Sequence, residues 1–317
     1  MVSSSSSDFK VPVINMEDLK PGTESWEATS HKVRRALEEY GFFMAVFGGF
    51  SQEMKKQVFD ALKPLFHLPM ETKMKNTSDK PFHGYQGPFT ISPLYESFSI
   101  ECAQTYHNVQ TFSNLMWPSP GDDHQNFTKT IHPYARLVSQ LENMVMKMVF
   151  ESYGVGKYYE SFHESMTSLL KVIKYRPPKA NETNLGAAVH TDKPFLTILN
   201  QNQVGGLEVL INDAADEWVK VELFPSSFVV MATDPFMAWS NGRVRSPPHR
   251  VIMTGQEDRY SIALSTFKNG VVEIPEEFID DEHPRRFKPF DHFKFLESFA
   301  KNPVYLDERS LISYCGV

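Results

Sequence analysis

The sequence predicts a mainly β protein with peripheral helices, its strands closing into a sandwich or barrel. Three observations predict it. After Leu169, short β-prone runs follow one another, separated by turns rich in Gly, Pro, Asn and Asp. Before that point, apolar residues recur with helical spacing. With 41% apolar, 22% charged and 13% aromatic residues over 317 positions, the chain can build a large packed core and lacks the bias of a disordered or fibrous polymer.

Val11 to Ile14 reads as a short strand. Val33, Ala36, Leu37 and Tyr40 then fall at i, i+3, i+4 and i+7, the signature of an amphipathic helix, which should stop before Gly41. Phe42 to Phe47 follows as a buried strand ended by Gly48-Gly49. Ser51 can cap a second helix with Met54, Val58, Ala61, Leu62 and Leu65 on its apolar face and Pro64 bending its last turn. From Lys80 to Pro120 the periodicity fades among aromatics, glycines and prolines, so irregular loops that wall a pocket are expected. Leu137, Leu141, Met144 and Met148, with Val138 and Val145 beside them, build a long helix running towards Gly154. Its four-spaced methionines fill core space.

The β-prone runs are Leu169 to Tyr175, Phe195 to Leu199, Leu207 to Ile211, Trp218 to Val221, Phe228 to Ala232, Val251 to Met253 and Tyr260 to Phe267. A helix returns in Phe290 to Phe299. The expected organisation is a helix-and-strand region, 1–165, packed on a β core, 166–275, with a helical tail, 276–317, all forming one compact unit.

Thirty-two Lys plus Arg against 39 Asp plus Glu give a net charge of −7 without a basic block, which argues against nucleic-acid and membrane partners and for small-molecule chemistry. Cys102 and Cys315 are too few for a disulfide scaffold or zinc knuckle. The Ser3 to Ser7 run has no apolar signal region beside it, and no stretch reaches the roughly 18 apolar residues of a membrane span. A cytoplasmic monomer is expected. Three matches to the glycan acceptor pattern, at Asn76, Asn126 and Asn181, are assigned no function.

In extended structure residues i and i+2 share a side, so the imidazole of His190 and the carboxylate of Asp192 can meet one ion. Alone the spacing is unspecific. His249 completes a set of two histidines and one carboxylate, the ligand type that leaves positions open on non-haem Fe(II). Ten residues later Arg259 and Ser261 share one face of a strand, where a guanidinium fork and a hydroxyl can hold a carboxylate. Trp239, placed in the strand before a hairpin turned by Asn241-Gly242, serves packing. His83, His107 and His163 have no partner at ligand spacing and read as polar surface or loop residues.

Taken together, Gly41-Phe42-Phe43, His190-Thr191-Asp192, Gly206-Leu207-Glu208-Val209, Trp239-Ser240-Asn241-Gly242-Arg243, His249-Arg250-Val251 and Arg259-Tyr260-Ser261 resemble, over nearly the whole chain, the plant-type Fe(II)- and 2-oxoglutarate-dependent dioxygenases. Lys174-Tyr175-Arg176, Glu182-Thr183-Asn184 and Asp281 to Arg285 look most like the AOP group, relatives of glucosinolate-side-chain and auxin-oxidising dioxygenases. The chain departs from the family at Phe47-Gly48-Gly49, where many members carry Asn-His-Gly, and at Lys174-Tyr175-Arg176-Pro177, where they carry Asn-Tyr-Tyr-Pro.

The resemblance implies a double-stranded β-helix, or jelly roll, with Fe(II) held by His190, Asp192 and His249 and the far carboxylate of 2-oxoglutarate on Arg259 and Ser261. Tyr175 is the further candidate for touching the cosubstrate. It implies consumption of O2 and 2-oxoglutarate, release of succinate and CO2, and oxidation of a small-molecule substrate, by hydroxylation in the default case and otherwise by desaturation or dealkylation. Ascorbate is the expected reductant in vitro. Tyr85, Phe89, Phe195 and Phe267 are the candidates for the substrate wall. Two other readings remain open: an iron oxidase that dispenses with 2-oxoglutarate, and a non-catalytic binding module on the same fold.

Overall fold

The computed structural model describes residues 9–88, 92–119, 121–301, 307 and 309–317. Strand β1 (Val13–Asn15) leads into helix α1 (Glu24–Glu39), whose N-terminus the Thr23 hydroxyl caps and whose Val33, Ala36 and Leu37 are buried. The helix stops before Gly41, and β2 (Phe42–Val46) follows as an almost wholly buried strand. Ser51 caps α2 (Gln52–Phe66) through the Met54 amide, with Pro64 in its last turn. The single turn α3 (Met70–Lys73) precedes the first departure from expectation.

Where irregular loops were expected, the chain forms strand β3 (Tyr95–Glu101) and helix α4 (Tyr106–Met116). The strand eluded the pattern because polar residues alternate with apolar ones on faces that are both buried. Glu96, Phe98 and Ile100 pack toward the helices, while Ser97 and Ser99 face the opposite way. Helix α5 (Asp122–Ser152) is the long helix and ends just before Gly154; α6 (Tyr159–Glu164) closes the helical layer.

The β core then unfolds in order: β4 (Met166–Tyr175), β5 (Leu185–His190), β6 (Leu196–Gln201), β7 (Leu207–Asn212), β8 (Glu217–Lys220) and β9 (Ser227–Ala232). Short helix α7 (Asp234–Trp239) separates these from β10 (His249–Ile252) and β11 (Arg259–Lys268). Trp239 therefore ends a helix, not a strand. All six α7 residues are buried, so no polar face betrays the helical period. Asn241 and Gly242, both with positive φ, at 55° and 81°, do not turn a β-hairpin as expected but end this helix, the Gly242 amide donating to the Met237 carbonyl at 2.8 Å. Trp239 packs in the core against Phe150, ring centroids 4.5 Å apart, as expected of a packing residue. A short pair, β12 (Val271–Val272) and β13 (Phe290–Asp291), precedes α8 (His292–Lys301), the helical return, and α9 (Arg309–Cys315).

Two sheets face each other in the jelly-roll manner: a seven-stranded sheet in the order β1-β2-β9-β6-β11-β4-β3 and a four-stranded one in the order β5-β10-β7-β8. The register decides what each face carries. Tyr95, Tyr175 and Arg259 stand side by side, then Ser97, Ile173, Ser261 and Gln201, then Ser99, Lys171, Ala263 and Leu199. These rows form the inner face, which meets the small sheet through Met44, Val229 and Met231 against Leu207 and Val209. The outer face, with Phe98, Val172, Ile262, Ile198 and Val230, packs on α1, α2, α4 and α5 in the main core. Among the described residues, no helix is long and apolar enough to cross a membrane.

One buried carboxyl leaves a testable mark on stability. Glu142 of α5 lies in this core, and burial pushes its carboxyl up to about 7 from 4.5. The folded chain holds that proton while the unfolded chain releases it, so stability is lost as pH rises from about 4.5 to 7, by about 3 kcal/mol in all. Glu142→Gln should therefore melt well above the parent at pH 8, with the gap closing toward pH 4.5. A gap independent of pH in calorimetry would refute the assignment.

Candidate metal centre and cosubstrate pocket

In the small sheet β5 and β10 run antiparallel, and their register sets His249 directly opposite His190. Directly paired residues project to one face, so two histidines distant in sequence meet with ring centroids 4.2 Å apart. Asp192, just past the end of β5, places Oδ1 3.8 Å from His190 Nε2 and 3.7 Å from His249 Nε2. Each ring donates from Nδ1 to a backbone carbonyl, His190 to Ala188 at 2.8 Å and His249 to Pro247 at 3.2 Å. This tautomer leaves the Nε2 lone pairs turned to Asp192, ready for an ion.

The electrostatics agree with the geometry. Burial, with His249 adding to it, pushes His190 down to about 4, so its ring is neutral. Burial opposes the charge of Asp192, but the His249 and His190 rings, the Thr197 hydroxyl and Lys193 outweigh it and hold the carboxyl below its ordinary value. An unprotonated imidazole such as that of His190 and an ionised carboxylate are what a divalent ion takes without having to displace a proton. Their ligand atoms all lie within 4.8 Å of one another, and among the described residues no other cluster of histidine, cysteine or carboxylate groups meets that test.

The turn that carries Asp192 is pinned from behind by Asp234, the first residue of α7. Its amide donates to the Asp192 carbonyl at 3.1 Å, and its carboxylate accepts from the Thr191 hydroxyl at 3.0 Å, Lys193 Nζ at 2.6 Å and the Ser246 hydroxyl at 2.6 Å. His292 of α8 donates from Nε2 to the Lys193 carbonyl at 2.8 Å and accepts the Lys268 amide at Nδ1. The C-terminal tail is thus joined to the ligand loop through buried, satisfied polar groups.

The second half of the site lies on the inner face of the large sheet. Arg259 is only 1% exposed; it donates from Nη2 to Gln201 Oε1 at 2.7 Å and from Nη1 to the Ser261 hydroxyl at 3.4 Å, and its guanidinium lies 5.2 Å from the centre of the Tyr175 ring. Its Nε is buried without a hydrogen-bond partner, and among the described residues no carboxylate pairs with this cation. A buried guanidinium without a counter-charge is costly unless an anionic ligand supplies one. The residues present therefore fit a dicarboxylic keto acid: one end toward the histidines and Asp192, the other on Arg259 and Ser261. Gly206, with φ of +138°, lets the chain entering β7 lie against β10 in the small sheet, since a Cβ there would stand 2.7 Å from the Ile252 carbonyl oxygen.

The wall candidates divide. Phe267 stands on the inner face at the end of β11 opposite Arg259, packed with Leu169 and Leu296 under α8. Tyr85 does not line the inner face: its ring lies on Phe98 among the helix-facing residues and its hydroxyl donates to Glu96 at 2.9 Å. Phe195 is likewise on the helix side, against Phe162 and Phe236, because it precedes β6 and escapes that strand's alternation. Phe89 lies outside the described residues. His83 sits in a loop, buried against Phe267. The inward-facing Gln201 and Lys171 and the pinning Asp234 were not singled out in the sequence. The alternation that carries Tyr175 would have placed Lys171 on the same face.

The 2OG-Fe(II) oxygenase superfamily profile matches residues 157–268, which contain His190, Asp192, His249, Arg259 and Ser261, and the profile described as non-haem dioxygenase in morphine synthesis N-terminal matches 11–120. A probable 2-oxoglutarate-dependent dioxygenase, AOP1.2, of Arabidopsis thaliana is 42% identical, the match covering 97% of this chain and 96% of that protein. The crystal structure of a rice dioxygenase for auxin oxidation superposes with a TM-score of 0.82 at 30% identity, covering 97% of this chain and all of that one. Dioxygenase for auxin oxidation 1 of Arabidopsis thaliana, in complex with 2-oxoglutarate, superposes at 0.77 with 29% identity, covering 87% of this chain and 100% of that one. With its jelly roll and its histidine–aspartate–histidine centre, and with AOP dioxygenases among its close relatives, the chain belongs to the 2OG-Fe(II) oxygenase superfamily and is an enzyme whose cofactors are Fe(II) and 2-oxoglutarate.

Proposed function

We propose that this enzyme oxidises a small specialised metabolite or hormone of plants, hydroxylation being its default outcome, as a cytoplasmic monomer whose three regions, 1–165, 166–275 and 276–317, work as one unit. The observation that carries the reading is the presence of His190, Asp192 and His249 on one sheet together with a buried, uncompensated Arg259 on the inner face of the other. The rice and Arabidopsis relatives, named for auxin oxidation, support a small organic substrate.

In this proposal His190, Asp192 and His249 hold Fe(II), and Arg259 and Ser261 take the far carboxylate of 2-oxoglutarate, with Tyr175 beside them. Fe(II) held by these residues together with 2-oxoglutarate would supply an oxidation in which one atom of O2 goes to succinate, the other to the substrate as hydroxyl, and CO2 is released. The chain's residues supply position. Asp234, Lys193 and His292 keep the Asp192 turn from shifting, and the two Nδ1 donations fix both imidazoles. Gln201 aims the Arg259 fork, and the apolar contact of the two sheets backs the strand that carries His249. Which substrate bond is attacked depends on placement to within roughly an ångström.

The test is direct. Purified protein given Fe(II), ascorbate and 2-oxoglutarate should release succinate slowly, and mass spectrometry of a panel of plant acids and specialised metabolites should find one that accelerates release and gains one oxygen. Absence of iron-dependent succinate release would reject the reading.

A further inference from the structure

We propose that the ammonium of Lys171 anchors a carboxylate on the substrate, making the enzyme selective for organic acids over their neutral analogues. The proposal deepens the function proposed above and rests on it. Lys171 pairs with Ala263 on one side and Ser99 on the other, so its side chain leaves the inner face in the row next to Ser261, on the same face as Arg259 and close enough to Asp192 to feel its charge. Its neighbours along that face of β4 are Leu169 and Ile173, among which a cation has no packing role. It is half-buried, and among the described residues its hydrogen bond is to Gln86 Oε1, at 2.9 Å, with no carboxylate at ion-pairing distance. Two of three ammonium donors are unspent. Burial pushes the amine down to about 8, nearby Asp192 opposing, which is the mark of a cation lacking a close counter-charge.

Two further points separate this group from the cosubstrate. Gln86 Oε1 also accepts the Tyr95 hydroxyl, at 3.4 Å, and so draws Lys171 to the β3 side, whereas the Arg259 fork is held on Gln201 at the β6 side. The charges also leave room for an anion. The ferrous ion and Arg259 are balanced by Asp192 and the two carboxylates of 2-oxoglutarate, so the Lys171 charge remains over. A monoanionic substrate neutralises it through a charge-assisted hydrogen bond.

The experiment compares a panel of aliphatic and aryl carboxylic acids with their matched primary amides, in parent, Lys171→Met and Lys171→Arg enzyme, reading substrate-stimulated succinate release and the Michaelis constant for 2-oxoglutarate. The parent should favour acids, Lys171→Met should lose that preference by roughly 10- to 100-fold, and Lys171→Arg should restore most of it. Equal use of acids and amides by the parent, stimulation by neither, or a preference that survives Lys171→Met would overturn the proposal. So would a Lys171→Met enzyme with a raised Michaelis constant for 2-oxoglutarate and an intact acid preference, which would assign the ammonium to the cosubstrate. Lack of any iron-dependent succinate release in the parent would instead sink the underlying function, so the two failures are distinguishable. Melting curves of both variants check that the fold survives.

Discussion

Asp192→Ala abolishes iron-dependent turnover of 2-oxoglutarate, by at least about 100-fold, and weakens Fe(II) binding in parallel. The expectation follows from charge and geometry together. Asp192 is the single anion in the centre, and its Oδ1 is the point on which both imidazole Nε2 atoms converge. Removing a group that only orients a ligand already costs about 10- to 100-fold, and this change deletes the ligand itself. Asp192→Asn keeps the size but not the charge and should fail nearly as completely. Turnover unchanged in either variant, measured with the fold verified by its melting transition, would refute the ligand assignment. A non-catalytic binding module on the same fold predicts instead that the parent itself shows no iron-dependent turnover.

Arg259→Ala raises the Michaelis constant for 2-oxoglutarate by about 100-fold, with a smaller effect on turnover at saturation. Truncating one partner of a buried, hydrogen-bonded charge pair costs about 2–5 kcal/mol. The variant also carries a signature that a merely structural arginine would not. Because the cation is buried without a counter-charge, its loss should leave the melting temperature of the 2-oxoglutarate-free protein nearly unchanged while removing the rise that 2-oxoglutarate produces in the parent. Arg259→Lys keeps the charge but not the fork and should recover only part of the affinity. Activity that never depended on added 2-oxoglutarate, in parent and variant alike, would point to an oxidase that uses iron alone.

Much of this arrangement is legible in the sequence because its signals are local. Helical spacing marks α1, α2 and α5, Ser51 announces a cap, and the strands from β6 to β9 stand out between their turns. The misses share a cause. β3 alternates serine with phenylalanine and isoleucine between two buried faces, β5 is built of small residues held by its partner β10, and α7 is buried all round. In each the burial that selects the residues comes from distant chain, so hydropathy along the segment does not report its period. The same holds for the aromatic wall. Tyr85, Phe195 and Phe267 are alike in composition and differ only in the side of the sheet to which the chain delivers them.

The sequence by itself determined the chemistry: which side chains can bind an ion, which can bind a carboxylate, and the order in which they come. Only the tertiary structure decided that His190 and His249 are cross-strand partners, that Asp234 holds the Asp192 turn, and that Lys171 and Gln201 stand on the same inner face as Arg259. The physical reason is register. Side chains alternate faces along a strand, so a site assembled across β4, β5, β6, β10 and β11 exists only once the hydrogen-bonded ladders fix which residue of each strand stands beside which of the next.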